Sequence, residues 1–171
     1  MKNATDNIKQ VTYRKLGFSK EETQELVKKM NILLANYHVH YQKLRNFHWN
    51  VMGHDFFDIH ETLERLYNTA VVNIDDVAER IRVFGHTPMS TMKEYLSNST
   101  IEEPDYGLAS DEMIREILDD LETLVSFMVD VDEAAMEIGD FGTIDMMNDF
   151  VKSFEKDHWM LSSFLNEKHN K

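Results

Sequence analysis

The sequence predicts an all-α protein, an antiparallel four-helix bundle with one long connection between its second and third helices. Three observations predict it. Only two prolines and six glycines occur in 171 residues, so long stretches carry no helix breaker. Four of those stretches repeat apolar residues at helical spacing. The segments between them run short, long, short, which is the connectivity of a bundle with a single crossover.

The first helix is expected from Ser19. Ser19-Lys20-Glu21-Glu22 has the spacing of a capping box, in which serine and glutamate satisfy the free amides of a helix start. Leu26, Met30, Leu33, Tyr37, Leu44 and Phe47 form its apolar stripe, and it ends near Trp49, before Asn50-Val51-Met52-Gly53. The second helix follows Asp55 as N-cap, with Ile59, Leu63, Leu66, Ala70, Ile74, Val77 and Ile81 on one face, and Gly85 and Pro88 stop it. Residues 86–109 hold both prolines and form the crossover, with a short helix around Met92–Leu96. Ser110-Asp111-Glu112 opens the third helix with acid at its positive end, and Ile114, Leu118, Leu121, Val125, Met128, Val131 and Ala135 line it. After a break at Gly139–Gly142 the fourth helix carries Met147, Phe150, Phe154, Trp159, Leu161 and Leu165. Each helix spans roughly 25 to 30 residues, about 40 Å. Residues 1–18 are expected to be an N-terminal tail and 19–171 the bundle domain.

Charge and composition exclude several classes. Net charge is −13. Lys2, Lys9, Arg14, Lys15 and Lys20 against Asp6 give the first twenty residues +4, which leaves −17 on the rest. Such a body repels nucleic acid and attracts cations, although acidic surfaces also serve solubility alone. The absence of cysteine excludes disulfides and thiolate metal sites and fits a cytoplasmic protein. No apolar run reaches the ~18 residues of a membrane span, and the N-terminal stretch lacks the apolar segment of a signal peptide.

The chemistry concentrates between Asn46 and Arg80. His48 stands at the end of the first helix; His60 with Glu64, and Asp75 with Glu79, are i,i+4 pairs on the second. Imidazole with carboxylate suits iron, manganese or zinc. Glu64 and Asp75 share a face but lie eleven residues apart, about 16 Å along the axis. A straight helix cannot bring both pairs to one ion. A second copy, antiparallel across a two-fold axis, can set His60 and Glu64 of one chain opposite Asp75 and Glu79 of the other, so an intersubunit site is predicted. The same spacing also fits two separate sites, or a merely solvated acidic face.

Asn46-Phe47-His48-Trp49-Asn50-Val51-x-Gly53, then Phe56-Phe57-x-Ile59-His60-Glu61, Leu66-Tyr67, Asp75-x-Val77-Ala78-Glu79-Arg80-Ile81 and Lys156-Asp157-x-Trp159-Met160-Leu161 resemble the Dps family, the mini-ferritins or DNA-binding proteins from starved cells. The resemblance covers nearly all of the chain after residue 20. It implies a ferritin-like bundle and a ferroxidase centre with His48, His60 and Glu64 from one subunit and Asp75 and Glu79 from its partner. Glu64 stands where many members have aspartate, one methylene shorter. Trp49 resembles the family's tryptophan near the iron, a redox neighbour, and packing at an interface would equally place it there. The resemblance further implies a homo-oligomer, a hollow dodecamer, that oxidises Fe(II) to Fe(III), preferring hydrogen peroxide to oxygen. It stores the product as ferric mineral, which protects against oxidative stress. Asp140, Asp145 and Asp149 fall where the family places acidic three-fold pores, and Asp140 and Asp145 suit helix capping as well.

Larger ferritins use Glu-x-x-His pairs inside each bundle. The single match here, Glu155 to His158, suits a packed or hydrogen-bonded histidine. His38, His40, His54, His86 and His169 have no carboxylate partner legible in the sequence. The basic tail and acidic body together predict weak or no DNA binding at physiological salt. A nucleoid-binding protein with a secondary metal site is the alternative, and a plain helical oligomer with an acidic face is the third.

Overall fold

The computed structural model describes residues 17–169, and side chains through Leu165. The basic residues Lys2, Lys9, Arg14, Lys15 and Lys171 lie outside the described residues, and the Lys168 side chain lies beyond the described side chains. The chain forms α1 Gln24–Asn50, α2 Phe56–Val83, α3 Met92–Asn98, α4 Ser110–Ile138 and α5 Phe141–His169. The long helices α1, α2, α4 and α5 make the bundle, and α3 sits in the crossover.

Cross-helix polar pairs fix the directions. Tyr37 meets Asn73 and His48 meets His60, so α1 and α2 are antiparallel. Lys29 pairs with Asp130 and Lys43 with Glu116, so α1 and α4 are antiparallel too. Arg65 pairs with Asp157 and Arg80 with Asp140, which sets α2 against α5 in the same sense.

The predicted stripes are the core. Leu26, Met30, Leu33, Tyr37, Leu44 and Phe47 of α1 are buried, as are Leu63, Leu66, Val77 and Ile81 of α2. Trp159 is a correction, since it is 66% exposed. It lies five residues past Phe154, about 140° round the helix, and the apolar face continues instead to Leu161, seven past Phe154.

The helix ends follow local chemistry. The Ser19 hydroxyl accepts the Glu22 N–H at 3.2 Å and the Glu22 carboxylate accepts the Ser19 N–H at 2.9 Å. The box forms, yet regular α-helix begins only at Gln24. In between, the buried Thr23 hydroxyl bonds to the Ser19 carbonyl and to the His86 ring, drawing this turn against the end of α2. At the end of α4, Gly139 takes φ +72°. Gly139 N–H reaches the Met136 carbonyl and Asp140 N–H the Ala135 carbonyl, a Schellman arrangement that glycine permits without strain.

The crossover is held by two asparagines of α1. Asn31 Oδ1 accepts the Met89 N–H at 2.7 Å. Asn36, wholly buried, accepts the backbone N–H groups of Thr100 and Ile101 at 2.9 and 3.0 Å and both neighbouring hydroxyls. A buried amide satisfied on this scale is a firm anchor. It draws the far end of the crossover onto α1. His38 stacks flat on Tyr95 of α3, centroids 3.8 Å apart.

Candidate metal centre

His48 lies in the last turn of α1 and His60 in the second turn of α2, so the tight 51–55 turn brings the two imidazoles face to face. Their centroids are 3.7 Å apart with 22° between planes. His48 Nδ1 lies 2.9 Å from the His60 carbonyl, and His60 Nδ1 lies 2.9 Å from the His48 carbonyl. A carbonyl only accepts, so each Nδ1 carries a proton, which leaves Nε2 as the ring atom that can bind a metal. The pairing fixes tautomer and orientation together, as the partners of metal-binding histidines do. Phe56 stacks on His60 at 4.9 Å, and Tyr67 stands edge-on to His48 at 5.2 Å.

Glu64, one turn beyond His60, completes a group of three. One donor atom from each of His48, His60 and Glu64 lies within 4.8 Å of the others. An ion bonded at about 2.1 Å to each spans donor separations up to about 4.2 Å, so at most a small closing movement is needed. His48 is buried, His60 half-buried and Glu64 exposed, so the group opens to the surface along α2. Two neutral imidazoles and one carboxylate fit iron, manganese or zinc.

Asp75 and Glu79 are not part of this group. Both are exposed, three and four turns further along α2. Trp49 is exposed beside the site, and the Arg45 guanidinium lies 4.6 Å from its ring centre and 5.3 Å from that of Tyr41.

The three aspartates of the α4–α5 junction separate in space. Asp140 is buried and bonds to the Arg80 guanidinium and the Thr143 hydroxyl. It stands immediately before α5, and its backbone carbonyl accepts the Ile144 N–H. Asp145 and Asp149 are exposed, and Asp149 pairs with Lys152 at 3.2 Å. His158 is hydrogen-bonded to Glu122 at 3.1 Å.

Other polar partnerships were not legible in sequence. His40 does have a carboxylate partner: Asp120 Oδ2 lies 2.9 Å from its Nδ1, and Lys43 donates to the other Asp120 oxygen at 2.9 Å. All three are buried. Burial, then the nearby Glu64 charge, push the Tyr67 phenol pKa up. The i,i+3 spacing of Glu64 and Tyr67 is the sequence signal that could have found this proximity.

A ferritin-like domain model matches residues 27–169. General stress protein 20U of Bacillus subtilis is 36% identical over 143 residues, 84% of this chain and 99% of that protein. DNA protection during starvation protein 2 of Bacillus anthracis is 38% identical over 144 residues, again 84% and 99%. The crystal structure of a Dps protein from Vibrio cholerae O1 superposes with a TM-score of 0.85 at 34% identity, covering 88% of this chain and 94% of that one. That structure is described as one of a broad superfamily of ferritin-like diiron-carboxylate proteins.

Proposed function

The chain belongs to the Dps family of ferritin-like proteins, and from that membership we propose that it is a ferroxidase and iron store whose metal centres lie between two-fold-related copies. The observation that carries this reading is the reciprocal clamp of His48 and His60, which engages both Nδ1 atoms and holds the two rings in one group with the Glu64 carboxylate. Three ligands on one chain make half a centre. In the proposed assembly Asp75 and Glu79 of the partner supply the other half, because α2 carries them too far along its own axis to serve the same ion.

Iron is substrate here. Hard carboxylates stabilise iron(III) over iron(II). Two adjacent ferrous ions each give one electron to hydrogen peroxide. Its O–O bond breaks, two protons are taken up, two waters leave, and no hydroxyl radical is released. The His48 and His60 rings need no rearrangement to receive the metal, and Glu64 closes on it. The oxidised iron collects as ferric mineral inside a hollow dodecamer. The exposed apolar side chains of Trp49, Phe57, Val72, Phe141 and Trp159 support association into such a shell. Protection of DNA, as the Bacillus anthracis relative's name has it, then comes from removing iron and peroxide together.

The test is iron(II) oxidation under anaerobic conditions, started with hydrogen peroxide or with oxygen. Wild type should oxidise iron fast, and faster with peroxide. His60→Ala and Asp75→Ala should each lose at least about tenfold in rate. Subunits exchanged between the two variants should regain part of the activity, since some centres then receive an intact half from each chain. Wild-type oxidation at the background rate would sink the reading.

A further inference from the structure

Arg45 is a half-buried cation set against two aromatic rings. Tyr41, Arg45 and Trp49 follow one another at four-residue steps on one face of α1. The guanidinium carbon lies 5.3 Å from the Tyr41 ring centre and 4.6 Å from that of Trp49. We propose that Arg45 guards Trp49 against one-electron oxidation, its charge opposing the loss of an electron from the indole. The purpose of such a guard rests on the ferroxidase reading, which brings iron and peroxide together at His48, one residue away; the electrostatics do not.

A cation over a neutral indole is attracted by the negative face of the ring. Removing an electron from the ring turns the same contact into repulsion between two unit charges. At 4.6 Å the pair sits well inside the ~8–10 Å over which salt screens. The arrangement is held in place, because Tyr41 stands near-perpendicular to Tyr67 of α2 at 6.3 Å and is braced between the two helices. Nor is the charge diverted. Arg65 and Arg80 pair with Asp157 and Asp140, whereas among the described residues no carboxylate pairs with Arg45.

The step opposed is the passage of one electron from the indole to a one-electron oxidant, a class that iron and peroxide generate when they meet. The oxidant is reduced, the indole becomes a radical cation, and its ring N–H proton then passes to water. Electron loss needs proximity rather than contact, so packing of Trp49 against a second copy leaves the argument unchanged.

The test is brief radiolysis of the metal-free, full-length assembled protein in azide solution. The azide radical takes one electron and becomes azide, and it is uncharged, so Arg45 does not steer it. Loss of intact indole is counted by peptide mass spectrometry at Trp49 and at Trp159, the chain's other tryptophan. Trp159 is 66% exposed against 59% for Trp49, and among the described residues no cation lies over its ring, so it serves as the internal reference. In Arg45→Met, which removes the charge and keeps an unbranched chain, the ratio of Trp49 loss to Trp159 loss should rise at least about threefold. Arg45→Lys, which keeps a charge, should stay nearer to wild type. Acrylamide quenching in a Trp159→Phe background should show the same access to Trp49 with and without Arg45→Met. An unchanged ratio in Arg45→Met overturns the proposal. So does an equal rise in Arg45→Lys, or a rise matched by freer acrylamide access, since either marks packing rather than charge. With no metal present, none of these outcomes depends on whether His48, His60 and Glu64 hold iron; that reading stands or falls with the rate of iron(II) oxidation.

Discussion

Asp140, Asp145 and Asp149 look alike in the sequence, three acids at one helix junction, yet they stand in different surroundings. Asp140 is sealed under Arg80 and Thr143, where a charge without its partner is costly. Asp145 and Asp149, one turn apart, face outward from α5. Both are exposed, Asp149 beside Lys152, and we propose that Asp145 helps guide iron inward. Asp145→Asn should slow iron uptake into intact assemblies several-fold and leave the melting temperature unchanged. Asp140→Asn should instead lower stability by about 2 kcal/mol, seen in urea unfolding. Unaltered uptake kinetics in Asp145→Asn would remove this residue from the route. The difference was not legible in sequence because the Asp140 partner is 60 positions away.

Within α1, two stripes run side by side. The apolar one was readable, since burial of Leu26, Met30, Leu33 and Tyr37 follows from a local period. The polar one, Asn36, His40 and Lys43, was not. Its partners lie in the crossover and on α4, and Lys43 meets Asp120 across 77 positions. Lys43 is 3% exposed in a strongly acidic protein, and it bonds to Asp120 and Glu116 together. Lys43→Met should destabilise the bundle by about 3 kcal/mol, because it leaves the buried Asp120 carboxylate with the His40 ring as its one remaining partner among the described residues. Lys43→Met with Asp120→Leu should recover much of that loss, since both charges are gone. Equal unfolding midpoints for wild type and Lys43→Met would show that the ion pair contributes little. The helix starts were half readable for a related reason. The Ser19 box formed as its spacing requires, but the turn that follows answers to His86, far along the chain.

For the whole molecule, four long helices and one crossover were legible because period, breakers and connection lengths are all local properties. The proposal of a second copy rests on the ~16 Å between Glu64 and Asp75 on a straight helix. What the sequence withheld is how the imidazoles are held: the backbone clamp on His48 and His60 depends on where two helices meet. Charge acts at this scale too. With a net −13 per chain, any assembly multiplies its repulsion from a polyanion. Gel-shift titrations at about 150 mM salt should therefore give no stable complex with duplex DNA. A tight shift under those conditions would favour the nucleoid-binding alternative and would turn attention to the basic tail.

The mutual clamp of His48 and His60 also sets an order of events. Stiff parts of a site are finished when the chain has folded, so their ordering entropy is settled before any ion arrives. In the proposed centre the arriving ion meets two waiting nitrogens and one swinging carboxylate. Capture then proceeds as docking on a rigid edge followed by the closing of a single latch, and escape begins with that latch. The residence time of the metal is accordingly governed less by the strength of the histidine bonds than by how often Glu64 lets go.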